Sequence, residues 1–333
     1  MSTHRYDYSL LAHNSFGLDV KTKEFVEYSS VDDLRSFLCD LDCDRPLFHI
    51  GGGNNLLFTK DYEGVILHSG IKGFEVTGIE GRSVWVRIGA SEIWDNVVEK
   101  SIEAGYYGLE NLSLIPSEVG AAAVQNIGAY GAEAKDFIDS VEVVDLESGE
   151  CGSFTNKECN FAYRFSNFKG SWRGKYAVTY VTWRLSLDYK PNLTYRALAQ
   201  VAEENMDALA LRNKIIEIRE SKLPDPKTLG NAGSFFMNPI VDASKFKELQ
   251  SQYPDIPHYD APNGVKIPAG WLIDKSGWRG RKLGNAGVYE KQALVLVNVG
   301  NAKPEDIVRL SNAVCDDVKK KFGIEIFPEV NWI

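Results

Sequence analysis

Cysteine is scarce in this chain, and what there is builds nothing recognisable. The 333 residues include five, Cys39, Cys43, Cys151, Cys159 and Cys315, an odd count without a CxxC pair. Free thiols in a reducing compartment fit that pattern better than a disulfide frame. No histidine or second cysteine pair stands near Cys39 and Cys43, so a zinc site is not expected there and no metal is assigned. Positive charge is also short: 37 Lys and Arg against 46 Asp and Glu leave a formal net charge of -9. This argues against a general affinity for nucleic acid while leaving room for a local basic pocket. No apolar stretch is long enough to span a bilayer. The opening residues, "MSTHRYDYSLLAHNSFG", lack the apolar run of a signal peptide. Internal repeats and low-complexity segments are missing too. The expectation is a soluble, cytoplasmic protein with no membrane contact and no obligate protein partner. Its 44% hydrophobic and 25% charged residues are ordinary globular values, and its length suits two or three domains.

Along the chain, helix and strand patterns mingle without a strict βαβ alternation, which gives an α+β class. "SVDDLRSFLCDL" places Val31, Leu34, Phe37 and Leu38 on one helical face. "PLFHIGGGNNLLF" reads as a strand entering a glycine turn and leaving it, and "GVILHSG" as another strand. "GFEVTGIEGRSVWVRIGAS" alternates around Glu80 and Gly81 as a hairpin would. "EIWDNVVEKSIEAGYYG" is an amphipathic helix stopped by Gly105. "DSVEVVDLESGECGSF" turns at Ser148 and Gly149, and "YAVTYVTWRLS" is a strand. From Tyr195 to Leu223 the pattern is helical and charged until "KLPDPK" breaks it. A helix at "DASKFKELQ" and a strand at "QALVLVNVG" follow. A longer helix then turns Ile307, Leu310, Val314 and Val318 inward, with Pro304, Glu305 and Asp306 suited to its first turn. A final strand, "IEIFPEVNW", ends the chain. Seams are expected near Ser69 and near 223–226.

Five stretches could carry chemistry. "IGGGNN" follows a strand, and its three glycines expose backbone N–H groups that can bind phosphate oxygens. It matches neither GxGxxG opening a long helix nor a Walker loop, and taken alone it reads more simply as a plain tight turn. "LIPSEVGAAAVQNIGAYG" is a small-residue run that implies a backbone laid flat against a neighbour. That neighbour is either another segment or a planar cofactor ring. A loop suited to a pyrophosphate and another suited to a flat ring together fit a dinucleotide such as FAD. In "FAYRFSNFK", Arg164 lies among aromatics, either as a stacking residue or as a fork for a carboxylate. Tyr195 follows a loop and either packs or closes over a ligand. Glu329, in "FPEVNWI", gains interest only if the terminal strand returns beside other site residues. "GNAGSFFMNP" sets Ser234 on a side-chain-poor loop backed by Phe235 and Phe236. It suggests a hydroxyl aimed at something, with an apolar wall behind it.

In this order, "LIPSEVGAAAVQNIGAYG", "AYRFSNFK", "KLPDPK", "GNAGSFFMNP", "AGWLID" and "PEV" resemble the UDP-N-acetylenolpyruvoylglucosamine reductases. The resemblance runs from "HNSFG" to the C-terminus, and the segment around Tyr195 is similar to the family type with a tyrosine loop. It implies an FAD-binding fold of the vanillyl-alcohol-oxidase-like kind in two subdomains, 1–69 and 70–219. A substrate-binding domain at 220–321 follows, with the terminal strand 322–333 returning towards the active site. It implies non-covalent FAD, NADPH as co-substrate, and reduction of UDP-N-acetylglucosamine enolpyruvate to UDP-N-acetylmuramate in peptidoglycan synthesis. It maps the proton donor onto Ser234, the substrate-activating arginine onto Arg164 and a second acid onto Glu329. Substrate contacts map onto Tyr195, Lys222, Asn238 and Gln292. FAD contacts map onto Gly51, Gly52, Gly53, Asn54 and Asn55, and onto Ile115, Pro116, Ser117, Gly120, Ala121, Ala122, Gln125, Asn126, Gly128 and Ala129, with Arg219 beside them. Met237, Val124, Asn331 and Ser117 depart from the residues common in the family, and none of them is the proposed donor, arginine or glutamate.

Two rivals remain on the residues alone. A covalent-flavin oxidase of the same fold would want a histidine or cysteine at the flavin edge. His49 and His68 are the histidines near the first loop, and neither sits in an attachment motif. A non-catalytic sugar-nucleotide binding protein would have no use for Ser234 or Glu329. The protein is expected to be yellow and to release its flavin into the supernatant on acid precipitation. Colour retained in the pellet favours the covalent oxidase, and a colourless protein that takes up no FAD rules out a flavoprotein.

Overall fold

The computed structural model describes residues 2–42, 44–199 and 206–333. Cys43 lies outside them, as do 200–205 of the helical stretch expected after Tyr195. The chain divides into two compact units. The first comprises Met1–Tyr8, Thr22–Gly52 and Tyr62–Arg219; the second comprises Ser9–Lys21, Gly53–Asp61 and Glu220–Ile333.

In the first unit, a four-stranded sheet runs in the order Thr3–Ser9, Lys21–Tyr28, Tyr62–Ser69, Leu47–Ile50. Tyr62–Ser69 pairs in parallel with both neighbours. Its residues from Gly64 to Ser69 are all buried, as a strand covered on both faces must be. Helix α1 (Val31–Asp40) starts at Ser30, whose hydroxyl accepts from the Asp33 amide at 3.1 Å. It buries Leu34 and Phe37 against Val26, Tyr28, Val65 and Leu67. A second sheet is antiparallel throughout, ordered Cys151–Thr155, Ile138–Asp145, Tyr176–Ser186, Ser83–Gly89, Phe74–Glu80. Alternation buries Val84, Val86 and Ile88 on one face. Helices α2 (Trp94–Glu103) and α3 (Val119–Gln125) pack into the same core. The rings of Trp94 and Trp183 meet there at 4.9 Å.

Helix α3 corrects one expectation. The composition of the small-residue stretch suggests backbone laid flat, but Val119–Gln125 coils into two turns of helix. The small side chains serve a close helix-to-sheet approach: a Cβ on Gly120 would stand 2.9 Å from the Ala90 methyl. Helix α4 (Arg196–Ala199) and helix α5 (Ala208–Lys222) carry the charged stretch after Tyr195.

The second unit holds a four-stranded antiparallel sheet, Asn231–Ser234, Val295–Asn298, Ala286–Val288, Lys282–Leu283. Beside it in sequence come a small sheet, Ile240–Val241, Gly264–Lys266, Tyr259–Ala261, and helices α6 (Ala243–Gln252), α7 (Ala269–Lys275) and α8 (Pro304–Phe322). Phe16, Leu18 and Leu57 join Phe235, Phe236, Leu310 and Val314 in one core. Helix α8 keeps its expected face: Ile307, Leu310, Val314 and Val318 are buried, and the Asp306 carboxylate accepts from the Lys303 amide at 3.0 Å.

Two further expectations change here. "GNAGSFFMNP" is not a free loop. Asn231–Ser234 is a strand with a register shift between Asn231 and Ser234, and Gly233 sits at φ +69°. Such a bulge is where a strand accepts glycine and re-aims the next side chain. "IEIFPEVNW" is not one strand. Only Asn331–Trp332 pairs, in parallel with Leu56–Leu57; Pro328 has no amide to donate, and it meets Phe236 in an isolated bridge. Among the described residues, no helix is long and apolar enough to cross a membrane.

Leu310 is fully buried and Leu209 half exposed. Leu310→Ala should therefore lower stability by about 2–5 kcal/mol, and Leu209→Ala by less than about 0.5 kcal/mol. Urea denaturation followed by circular dichroism checks this, and equal shifts would contradict the core assignment.

Candidate active site

In the first unit, the strand Leu47–Ile50 delivers Gly51 and Gly52 directly against α3. A Cβ on Gly51 would lie 3.1 Å from the Ala121 methyl and 3.2 Å from Glu118 Oε2. Glycine lets the turn come this close to α3, and the turn joins the two stretches that fit a dinucleotide in the sequence. The Gly52 amide donates to no other protein group among the described residues, which fits a backbone donor kept for an anion. Ile115 and Pro116 follow Leu114, which holds φ +56° and donates its amide to Asp95. Ser117 is buried. Asn126 ends α3 in the left-handed region and accepts from the Lys135 amide at 2.9 Å. Gln125, Gly128 and Ala129 continue the same run, and Gly128–Ala129 pairs with Ala132–Glu133.

Arg164 stands at φ +54°, a conformation that costs a non-glycine residue of order 1–3 kcal/mol and often marks a functional position. Its Nη2 donates to Gly128 O at 2.7 Å, tying it to the end of the small-residue run. On α5, Arg212 is clamped by Asp95 at 2.6 and 3.0 Å. Burial alone would raise the Asp95 pKa, but Arg212 and the Leu114 amide outweigh it and hold the carboxyl below its usual value. Two helical turns on, Arg219 has no such carboxylate. Its Nε is buried without a partner among the described residues. Burial lowers its pKa, the Tyr130 hydroxyl and Asp95 oppose that, and the Arg164 charge adds to the lowering. Two cations facing one another with an unpartnered buried N–H make a site prepared for an anion. Tyr195, exposed, meets the Tyr130 ring edge-on at 5.4 Å.

In the second unit, the chain around Ser234 runs antiparallel beside the chain around Glu329. The Glu329 amide donates to Phe235 O at 2.8 Å and the Met237 amide to Phe327 O at 2.9 Å. Ser234 is exposed while Phe235 and Phe236 are buried, so the two aromatics anchor the strand end that presents the hydroxyl. Asn55 accepts from the Asn331 amide at 3.1 Å, which holds Gly53, Asn54 and Asn55 next to the terminal segment. Asn238 Oδ1 accepts from the Ala269 amide at 2.9 Å. Gln292 Oε1 would lie 3.2 Å from a Cβ on Gly270. Asn238 and Gln292 thus gather at the first turn of α7, while Lys222 is exposed at the end of α5.

The sequence offered His49 and His68 only as candidates for flavin attachment; the polar cluster they help to form behind the glycine turn appears in the fold. The Tyr28 hydroxyl and His49 Nε2 are 2.8 Å apart. His68 sits between Glu27 Oε2 and Glu118 Oε1, each at 3.0 Å. Burial and the neighbouring His68 charge push His49 down to about 3. Burial would lower His68 as well, but the Glu118 and Glu27 carboxylates outweigh it and raise its pKa. The only signal in sequence was a histidine at a buried strand position, which alternation alone cannot distinguish from packing. Tyr130 also went unremarked, although it lies inside a quoted stretch.

Family models match the chain in two places: "UDP-N-acetylenolpyruvoylglucosamine reductase, C-terminal domain" over residues 225–333, and "FAD binding domain" over residues 23–154. A UDP-N-acetylenolpyruvoylglucosamine reductase of Bacteroides fragilis (strain YCH46) is 51% identical, over 98% of this chain and 99% of its own length. The chain belongs to the UDP-N-acetylenolpyruvoylglucosamine reductase family. A UDP-N-acetylenolpyruvoylglucosamine reductase of Porphyromonas gingivalis (strain ATCC 33277) is 44% identical, over 99% of both chains. The crystal structure of UDP-N-acetylenolpyruvylglucosamine reductase from Thermus caldophilus shares the fold, with a TM-score of 0.70 and 20% identity over 100% of this chain and 98% of that one. The α+β class expected from sequence holds, and the matched FAD binding domain makes FAD the cofactor. That domain contains Gly51, Gly52 and the whole run from Ile115 to Ala129. The matched reductase C-terminal domain contains Ser234, Asn238, Gln292 and Glu329.

The depressed pKa of His49 has a thermodynamic sign. Between about 6.5, the ordinary histidine value, and its folded value, the unfolded chain takes up a proton that the folded chain refuses. Stability contributed by neutral His49 therefore falls as pH drops through that window, by up to about 1.4 kcal/mol per pH unit. His49→Gln should flatten the loss of stability between pH 6 and 4 in urea titrations. An unchanged slope would show that His49 protonates in the folded state.

Proposed function

We propose that the chain reduces UDP-N-acetylglucosamine enolpyruvate to UDP-N-acetylmuramate for peptidoglycan synthesis in the cytoplasm, with NADPH as co-substrate. The observation that supports this most is the pairing of the Ser234 strand end with the Glu329 segment, within a chain of this family. FAD, when bound, supplies hydride transfer from NADPH to the substrate's C3. The chain's own residues supply the rest. The Gly51–Gly52 turn and the Ile115–Ala129 run hold the cofactor with backbone groups and small side chains. Arg164 binds the substrate carboxylate with its planar, permanently charged fork and stabilises the negative charge that builds there as C3 is reduced. Its anchor on Gly128 O fixes the fork before substrate arrives. Ser234 hands its proton to C2. A serine is a weak acid in water, so bound substrate has to exclude solvent from the strand end. Glu329, beside it, serves as the second acid, and an ionised carboxylate facing the substrate's own would repel it. Tyr195 closes over the nucleotide sugar, with Lys222, Asn238 and Gln292 as further contacts. In this reading 1–69 and 70–219 bind FAD, 220–321 binds substrate, and 322–333 returns Glu329 to the site.

The two half-reactions test Ser234. In Ser234→Ala, loss of the flavin absorbance on adding NADPH should keep its rate. Its return on adding the enolpyruvate sugar should slow by roughly 10²–10⁴-fold, the usual worth of a positioned acid. Ser234→Cys should recover part of that rate. Stopped-flow absorbance reads both halves, and equal slowing of the two, or of neither, removes Ser234 as the donor.

A further inference from the structure

The cluster behind the glycine turn carries charge that the reaction does not use. Glu118 precedes α3, and its two oxygens face different ways. Oε1 pairs with His68 Nε2 at 3.0 Å, while Oε2 lies against the Cα of Gly51, 3.2 Å from where a Cβ would stand. Ser117, just before Glu118, and Gly120, two residues after it, belong to the stretch that holds the cofactor. A carboxylate in that position opposes an anion on the turn. His68 is its counter-ion, buried at the end of the strand Tyr62–Ser69 and stacked on Phe25 at 6.1 Å.

The groups facing His68 come from every element packed around it. Glu27 approaches from the strand Lys21–Tyr28 and Glu118 from the start of α3. His49, held neutral by burial, approaches from the strand Leu47–Ile50, and the Tyr28 hydroxyl, next to His49, also feels the Glu118 charge. With His68 protonated, Glu27, Glu118 and His68 together carry one negative charge; with His68 neutral, they carry two. FAD carries an anionic diphosphate, so the second state should hold it less well.

We propose that His68 is a positioning residue that neutralises Glu118 beneath the Gly51–Gly52 turn, so that FAD retention depends on the protonation of His68. This rests on the reading of that turn as the cofactor site. Linkage gives the sign. Cofactor affinity is fully present while His68 is charged, and it falls as pH rises through the His68 pKa, which the carboxylates hold above the ordinary value of about 6.5. By the same linkage, bound FAD raises the His68 pKa further. A coupling of one to two pKa units corresponds to about 10–100-fold in affinity.

The test uses the full chain freed of flavin and titrated with FAD by fluorescence quenching from pH 6 to 9. Wild type should bind FAD with a constant Kd at low pH that weakens about 10–100-fold as His68 loses its proton. His68→Gln should bind weakly at every pH in that range, and Glu118→Gln tightly at every pH. Riboflavin, which lacks the diphosphate, should show no step. Histidine NMR on the wild type alone, with and without FAD, should show the His68 pKa rising on binding, a readout independent of how the variants fold. Tight FAD binding with a pH profile shared by wild type and His68→Gln, an equal step with riboflavin, or a His68 pKa indifferent to FAD would each overturn the proposal while leaving the cofactor site standing. Failure of the wild type to bind FAD at any pH would overturn both.

Discussion

Gly51 and Ala121 approach so closely that a side chain would crowd them: a Cβ on Gly51 would sit 3.1 Å from the alanine methyl, closer than two carbons ordinarily rest. The same economy recurs where Gly120 lies against Ala90. These two approaches set the distance from the parallel sheet's turn to α3 and from α3 to the antiparallel sheet. Everything the first unit offers a cofactor depends on that spacing. Glu118 reaches both the turn and His68 because α3 begins so close. A side chain at either glycine would have to be met by a shift of the alanine it faces.

The second unit solves a different problem, which is how to expose a hydroxyl without loosening the strand that bears it. Phe235 and Phe236 bury their rings in the core, and together they contribute about 3–6 kcal/mol of burial next to a residue that contributes none. The bulge at Gly233 turns Ser234 out of the alternation. Backbone hydrogen bonds to the segment around Glu329 then brace the strand on its far side. The result is a fixed position for a small polar group, which a true loop would not give.

The elements with a clean period were legible in the sequence. Helix α8 announced its buried face through Ile307, Leu310, Val314 and Val318, and the hairpins through alternation around Gly81 and Gly149. The small-residue run was legible as a close approach but not as a helix, because Gly and Ala carry no apolar stripe from which to read a 3.6 period. The strand at Asn231–Ser234 was hidden by its own bulge, since Gly233 looks like loop chemistry until its partner strand is known. Of the candidate site, the residues inside recognisable stretches were named in advance. Arg219's lack of a carboxylate, the Tyr130 contact and the His68 pair were not, because each depends on residues far apart in the chain that only folding brings together.

The division of the chain also bears on how the protein is made. Phe16, Leu18 and Leu57 belong to the core of the second unit, yet most of that unit follows residue 219. At ribosomal rates of about 5–20 residues per second, these three side chains emerge roughly 9–44 s before Phe235 and Phe236 exist to cover them. The first unit, nearly complete by then, can fold around its own sheets while the segments Ser9–Lys21 and Gly53–Asp61 wait as tethered, apolar loops. Neither unit can be cut out as a single continuous piece of chain. A nascent chain stalled near residue 220 would therefore display those loops to chaperones, and the finished second unit is assembled around segments that were synthesised first.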